Sequence, residues 1–381
     1  MQTANQHQSP VKVSAPQLAS SSLPMKLGCQ SGPTDTTHLQ YFARYGVTSI
    51  FGYPNIADGR LYATVEELQR MLDLAGNQGI SVEGVALPFL TSSHIDHEPH
   101  PAIMLGHSPQ RDRDIEAVQL MIVNCASVGI PAIKYNLSLL GWVRSGETPG
   151  RGDAKNNSWR LHEAQPASPL TRAGIVNAEQ YWERIDYFLS RVILVAEQHR
   201  IRMACHPHDP GMPTDGYQGV DCVLGTVDGL KRFVSMHESS WHGLNFCIGT
   251  VAEMMQNPAE EIFDVIRYFG EKRKIFNVHL RNIRGRRDSF EEVFPDEGDI
   301  DFVRVVQTLH EVSYPHLIMP DHVPRAASDP GSLQSFAFCY GYIRALLQAV
   351  SAQTSGVHNE QPQSLARLAG AEQYYAPRTH R

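Results

Sequence analysis

From residue 204 onward, four short apolar runs each end on a side chain that can bind a metal ion or carry a proton. They read ACHPHDPG (204–211), LNFCIGT (244–250), FNVHLRN (276–282) and LIMPDHVP (317–324). Their polar ends are His206, Cys247, His279, and Asp321 followed by His322. Segments of helical periodicity lie between them. A strand–helix alternation that delivers one candidate ligand per strand end is how a parallel barrel builds a site at its C-terminal face.

The same alternation runs through the whole chain. Strand-like runs at MKLGCQ (25–30), VTSIFGYP (47–54), SVEGVALP (81–88) and IPAIKYNLSLLG (130–141) precede the four above, and a helical pattern follows each. Eight strand–helix pairs joined by right-handed crossovers close into a (β/α)8 TIM barrel. An open doubly wound sheet is the rival. No G-x-G-x-x-G follows the first strand, which argues against its dinucleotide-binding version. At 381 residues the chain accommodates one barrel of about 250 residues with insertions. The long insertion follows strand 4: residues 142–175 are polar, Gly-rich and too long for a plain connection, so a lid or binding loop is expected there. Residues 1–24, rich in Gln, Ser, Ala and Pro, read as a disordered N-terminal extension. The barrel domain spans 25–350, and 351–381 reads as a polar C-terminal tail.

Charge and composition exclude several classes. The net charge of −7 with no basic block argues against nucleic acid, and no run of 18 apolar residues exists to span a membrane. Residues 1–24 lack the apolar segment of a secretory signal, and six cysteines in a chain this long make no disulfide framework. A cytoplasmic protein is expected, and a homo-oligomer.

Taken singly, each candidate ligand has an ordinary explanation. A His at a strand end is often structural, a Cys in an apolar run is usually a small core residue, and an Asp after Pro usually makes a turn. Their shared position at consecutive strand ends is what favours one divalent metal site, with zinc as good a fit as any other ion. Near them, Lys134, Tyr135, Asn282 and His208 are candidates for contacting a substrate. His94, His97 and His100 follow strand three at the same mouth and are expected to face solvent.

The motifs HPHDPG, the strand ending in Cys247, VHLRN, EEVFPDEGDID and PDH, in this order, resemble the mannonate dehydratase family, as does KYNLSLLG–VRSG (134–145). These are metal-dependent lyases on a barrel related to the xylose isomerase-like sugar enzymes, and the likeness covers about residues 25–350. It implies Mn²⁺, or Fe²⁺ or another divalent ion, on His206, Cys247, His279 and Asp321. It also implies a proton-transfer role for His322 and substrate-anion binding by Arg281. The implied reaction dehydrates D-mannonate or a related aldonic acid to 2-keto-3-deoxy-gluconate, a step of glucuronate catabolism. A metal-dependent sugar isomerase or epimerase, or a non-catalytic sugar-acid binder, is the alternative.

Three departures from the family pattern stand out. His208 replaces a common Asp, Val323 and Pro324 follow His322 where Gly is common, and the family's catalytic Tyr falls at Phe336. The last predicts weak mannonate dehydration or a different sugar acid, unless Tyr340 or Tyr342 reaches the mouth; Tyr340 is taken as the catalytic candidate.

Overall fold

A computed structural model describes residues 23–57, 59–164, 169–212 and 216–356. The first half contains β1 (Lys26–Cys29), α1 (Thr36–Arg44), β2 (Ser49–Gly52), α2 (Val65–Gly76), β3 (Ser81–Ala86), α3 (Ala102–Leu105), α4 (Gln110–Ser127) and β4 (Ala132–Asn136). After β4 come β5 (Gly146–Pro149), β6 (Lys155–Arg160), α5 (Ala178–His199), β7 (Arg202–His206), α6 (Val227–Ser235) and β8 (His242–Cys247). The chain continues through α7 (Ile248–Ala252), α8 (Pro258–Glu271), β9 (Ile275–His279), β10 (Asn282–Arg286), β11 (Ser289–Val293), α9 (Phe302–Glu311), β12 (Leu317–Met319) and α10 (Leu333–Gly356).

Eight of these strands close a parallel barrel in the order β1-β12-β9-β8-β7-β4-β3-β2. Each is followed by at least one helix, so the expected (β/α)8 barrel is the fold. Helices hold to the barrel by apolar faces of the usual period. On α5, Tyr181, Ile185, Phe188, Leu189 and Val192 are fully buried. Inside the barrel, Phe51, Ala132, Leu317 and Met319 form a separate apolar cluster. Gly84 makes room for it: a Cβ there would meet the Phe51 ring at 2.5 Å. Strand register sets the height of the site. Cys247 pairs with His279, and His279 with Met319, two residues before Asp321.

The insertion after strand four is not a loop. Its strands β5 and β6 join β10 and β11 in a four-stranded antiparallel sheet, ordered β10-β11-β6-β5. Phe290 stands opposite Trp159, which is fully buried. Polar residues such as Asn156, Asn157 and Ser158 are buried in this sheet, so composition alone read the segment as a loop. Asn157 donates to Glu292, 135 residues away and out of reach of any local pattern. The long connection after β3 likewise carries a 3₁₀ turn at Ile95–His97 and the short α3. At the C-terminal end, α10 runs through Gly356, past the expected boundary at 350. Residues 1–22 and 357–381, and the extension and tail expected there, lie outside the described residues. No helix among the described residues is long and apolar enough to cross a membrane.

The start of α2 carries a testable charge cluster. Glu67, 5% exposed, accepts from Arg60 Nη2 at 2.6 Å, from Ala57 N at 3.1 Å and from Thr64 N at 2.8 Å, closing a capping box with Thr64. Burial opposes its charge, but Arg60 and the backbone N–H groups overcome this and hold its carboxyl down to about 2. Glu67→Gln is therefore expected to lower stability by about 1.5–3 kcal/mol at neutral pH, the range for hydrogen bonds to charged groups. Because the folded-state pKa is depressed, the contribution is complete above the unfolded value near 4.5 and disappears as pH falls through about 2. Urea denaturation of both proteins checks this. A gap that does not narrow between pH 7 and about pH 3 would contradict the assignment.

Candidate metal centre and its cavity

His206, Cys247, His279 and Asp321 come together at the C-terminal mouth, with one ligand atom from each within 4.8 Å of the others. Zinc-type bonds of about 2.0–2.3 Å in a tetrahedral shell place donor atoms roughly 3.3–3.8 Å apart. Here Cys247 Sγ lies 3.4 Å from Asp321 Oδ2, and His279 Nδ1 lies 3.3 Å from Asp321 Oδ1. His279 Nδ1 is buried and makes no hydrogen bond, so its lone pair is uncommitted. The ring's other nitrogen, Nε2, is 2.7 Å from Gln30 Oε1, an acceptor that also takes a bond from Lys134 Nζ at 2.8 Å. With the proton on Nε2 facing that acceptor, Nδ1 is left free for a cation. His206 is fixed in the opposite sense: Nδ1 donates to the Pro207 carbonyl at 2.8 Å, leaving Nε2 free. The donor set fits one divalent ion.

The electrostatics agree. Burial, and then the neighbouring His279, push His206 down to about 3, and burial lowers His279 as well, so both rings are neutral ligands. Burial pushes the Cys247 thiol well up. A bound divalent cation reverses that cost, because a coordinating thiol is deprotonated. Asp321 keeps its charge against burial with help from His322 and His279.

Above the ligands opens a cavity of about 290 Å³. Its wall includes Gln30, Ser31, Tyr53, Lys134, Asn136, Trp142, Asp209, His322 and Phe336. Lys134 is the one Lys or Arg in this wall among the described residues, and burial lowers it to about 8. His322 turns Nδ1 toward Glu292 Oε1, 2.9 Å away, while Trp142 packs edge-on against its ring. Burial opposes its charge, but Asp321 and Glu292 together hold it above its ordinary value.

Arg281, expected to hold the substrate anion, is fully buried and outside the cavity wall. Its guanidinium contacts Asp209 at 2.9 Å, Glu253 at 2.6 Å and Glu292 at 2.8 Å, and lies 3.3 Å from Asp321. Four carboxylates occupy it, which leaves no free fork for a ligand. A Cβ at Gly249 would meet Arg281 Nε at 2.5 Å, so that glycine makes room for the buried guanidinium. Arg144, from the segment after β4, joins the same cluster through Asp209, Glu253 and Glu292. Two guanidiniums thus face three shared carboxylates. Burial and then Asp209 push Glu253 up from the usual carboxylate range.

Other candidates also lie away from the cavity wall. Tyr135 is buried against Phe188. Asn282 donates to the Pro295 and Ile300 carbonyls, tying down the turn before α9. His208 is buried behind Asp209, 2.8 Å from the Leu137 carbonyl and 3.1 Å from the Tyr181 hydroxyl. Tyr340 is fully buried with its hydroxyl 3.0 Å from Cys29 Sγ, and its ring stacks on Phe336. Phe336 lines the cavity and Tyr340 and Tyr342 do not. His94, His97 and His100 are also absent from the wall.

Sequence reasoning missed Gln30, Asp209, Glu253, Glu292, Arg144, and a buried amide pair beneath the ligands. Asn277 donates to Asn245 at 2.6 Å, and Asn245 contacts His279 Nε2 at 3.1 Å. A signal for the pair existed. Asn245 and Asn277 each stand two residues before a ligand, hence on the same strand face.

Solved proteins of xylose isomerase-like type share this (β/α)8 barrel fold. A xylose isomerase domain protein from Planctomyces limnophilus superposes with a TM-score of 0.54 at 13% identity, over 87% of this chain and 99% of that one. A closer fit is the mannonate dehydratase from Streptococcus suis serotype 2, with a TM-score of 0.74 at 22% identity, over 87% and 96% of the two chains. In sequence, the family model of D-mannonate dehydratase (UxuA) matches residues 167–356. The mannonate dehydratase of Streptococcus uberis is 27% identical over 303 residues, 72% of this chain and 81% of the relative. In sequence the chain is thus similar to the mannonate dehydratases, which are hydro-lyases.

Proposed function

We propose that this protein is a divalent-metal-dependent hydro-lyase that converts D-mannonate, or a closely related aldonic acid, to 2-keto-3-deoxy-gluconate. The observation that carries the reading is the cavity itself, with three of the four converging ligands in its wall and Cys247 beside them, together with one lysine and His322. A divalent ion on His206, Cys247, His279 and Asp321, Mn²⁺ or Fe²⁺ by family resemblance, supplies positive charge that stabilises the dianion formed when an aldonate loses its C2 proton. Lys134 binds the carboxylate in an otherwise acidic protein. Trp142 and Phe336 shield the reacting carbons from water.

Dehydration requires two proton transfers. His322 Nε2, on the side of the ring away from Glu292, takes the proton from C2. The electron pair forms C2=C3 as the C3–O bond breaks, and the hydroxyl needs a proton to leave as water. Tyr53, after β2, is the one tyrosine in the cavity wall among the described residues. Burial pushes its phenol up to about 12, so it holds its proton at neutral pH and donates it to the leaving hydroxyl. The enol then becomes the ketone: His322 returns its proton to C3, and the Tyr53 phenolate takes the proton from O2. Both side chains end as they began.

The test is the purified protein, loaded with Mn²⁺, against a panel of aldonic acids and free sugars, scored for 2-keto-3-deoxy acid. Turnover of D-mannonate or a near relative is expected. Full metal loading with isomerised free sugars and no keto-deoxy product would replace the reading with an isomerase or epimerase.

A further inference from the structure

The accessory sheet brings one buried carboxylate to the edge of the cavity, and its contacts are unusually complete. Glu292, on β11, is 1% exposed. Its Oε1 lies 2.9 Å from His322 Nδ1 and accepts from Arg281 at 2.8 Å, from Arg144, and from Trp142 Nε1 at 3.5 Å. Its Oε2 accepts from Asn157 Nδ2, on β6, at 2.8 Å. A carboxylate with this many fixed donors has one place to sit.

The proton between His322 and its neighbours can be assigned from these contacts. Arg281 Nη1 also lies 2.8 Å from His322 Nδ1, but that nitrogen already donates to Asp209 and Glu292. With the guanidinium engaged, His322 Nδ1 carries the hydrogen and Glu292 accepts it. In the neutral ring the lone pair is then on Nε2, the form a base requires.

We propose that Glu292 is the positioning residue of His322, fixing the imidazole with Nδ1–H on the carboxylate and the Nε2 lone pair toward the substrate. The role rests on the dehydration reading, in which Nε2 accepts the C2 proton. It also gives the insertion after strand four a purpose other than a lid. Through Asn157 and the β6–β11 pairing, the insertion holds the carboxylate that holds the base. Losing such a partner leaves a histidine present but free to take the wrong tautomer, a loss that can reach about 10⁴-fold in rate where an Asp holds a catalytic His.

Two variants test it in the full chain. Glu292→Gln keeps the shape and removes the charge. Glu292→Asp keeps the charge that Arg144 and Arg281 face, yet retracts it from Nδ1 by one methylene, and serves if the Gln variant does not fold. With Mn²⁺ and D-mannonate, each is expected to lose about 100-fold or more in kcat while KM moves less than about threefold. Metal content should not change. In a His322→Asn background, neither change should lower the residual rate further, because a residue acting only through His322 has nothing left to act on. Wild-type kcat in both variants, or losses that add to that of His322→Asn, would overturn the proposal. A separate reading needs no turnover: ¹⁵N NMR of the metal-free protein, labelled at histidine, should show the His322 proton on Nδ1, displaced in Glu292→Gln. A wild-type ring with bare Nδ1 overturns the proposal even if mannonate is dehydrated. A protonated Nδ1 in a protein inactive on every aldonate supports the pairing and sinks the dehydration reading alone.

Discussion

Cys247→Ser and His279→Ala are each expected to weaken divalent-ion binding by well over 100-fold, because removing a group that merely orients a ligand already costs about 10–100-fold. Both side chains are buried and within one cluster of four donors, so neither has a neighbour that could take its place. Serine is the sharper test. It retains the size and the capping contact that Thr250 N makes with the side chain at 3.4 Å, yet loses the soft thiolate. Elemental analysis after dialysis reads the outcome directly. Melting temperature supplies a second reading, since an ion that binds only the folded state raises it for the wild type and leaves the variants unmoved. Full metal stoichiometry in both variants would remove the site.

The second large effect concerns the phenol. Tyr53→Phe is expected to lower kcat on D-mannonate by about 10²–10⁴-fold, the usual range for a lost acid–base group, with metal content unchanged. Tyr340→Phe should leave kcat almost untouched, because that hydroxyl is committed to Cys29 inside the core. The pair of variants separates two explanations of the Phe336 departure. If Tyr53 supplies the proton, a phenylalanine at position 336 is tolerable as an apolar wall. Brisk turnover by the Tyr53→Phe protein would mean that His322 serves both transfers or that water supplies the second proton.

How far the sequence carried these conclusions depended on distance along the chain. The barrel was legible because each strand and its helix are local, and each repeats an apolar period that needs no partner to be seen. The ligand cluster was legible for the same reason: register in a parallel barrel puts successive strand ends at one height. What failed were features made by non-local pairing. The segment 142–175 looks like a loop because its strand β6 is polar and pairs with β11, some 130 residues on. Arg281 was expected to face a substrate because the family resemblance implied that role. The four carboxylates that surround it come from different elements, and no spacing rule joins them. Glu292 left one trace, since alternation along β11 places it on the same face as buried Phe290. Arg144 left none.

The pairing of β6 with β11 also bears on how the molecule comes into being. Closing a loop of that length costs entropy before any contact rewards it, and chains dominated by such contacts fold slowly. The local βα units can gather early. The sheet that grips Glu292 cannot form until the chain has been made through residue 293, and His322 is made later still. Asp321, the fourth candidate ligand, is made beside His322, so neither the cation site nor the base is complete before the last strand is in place, and cation uptake is expected to recover together with turnover during refolding.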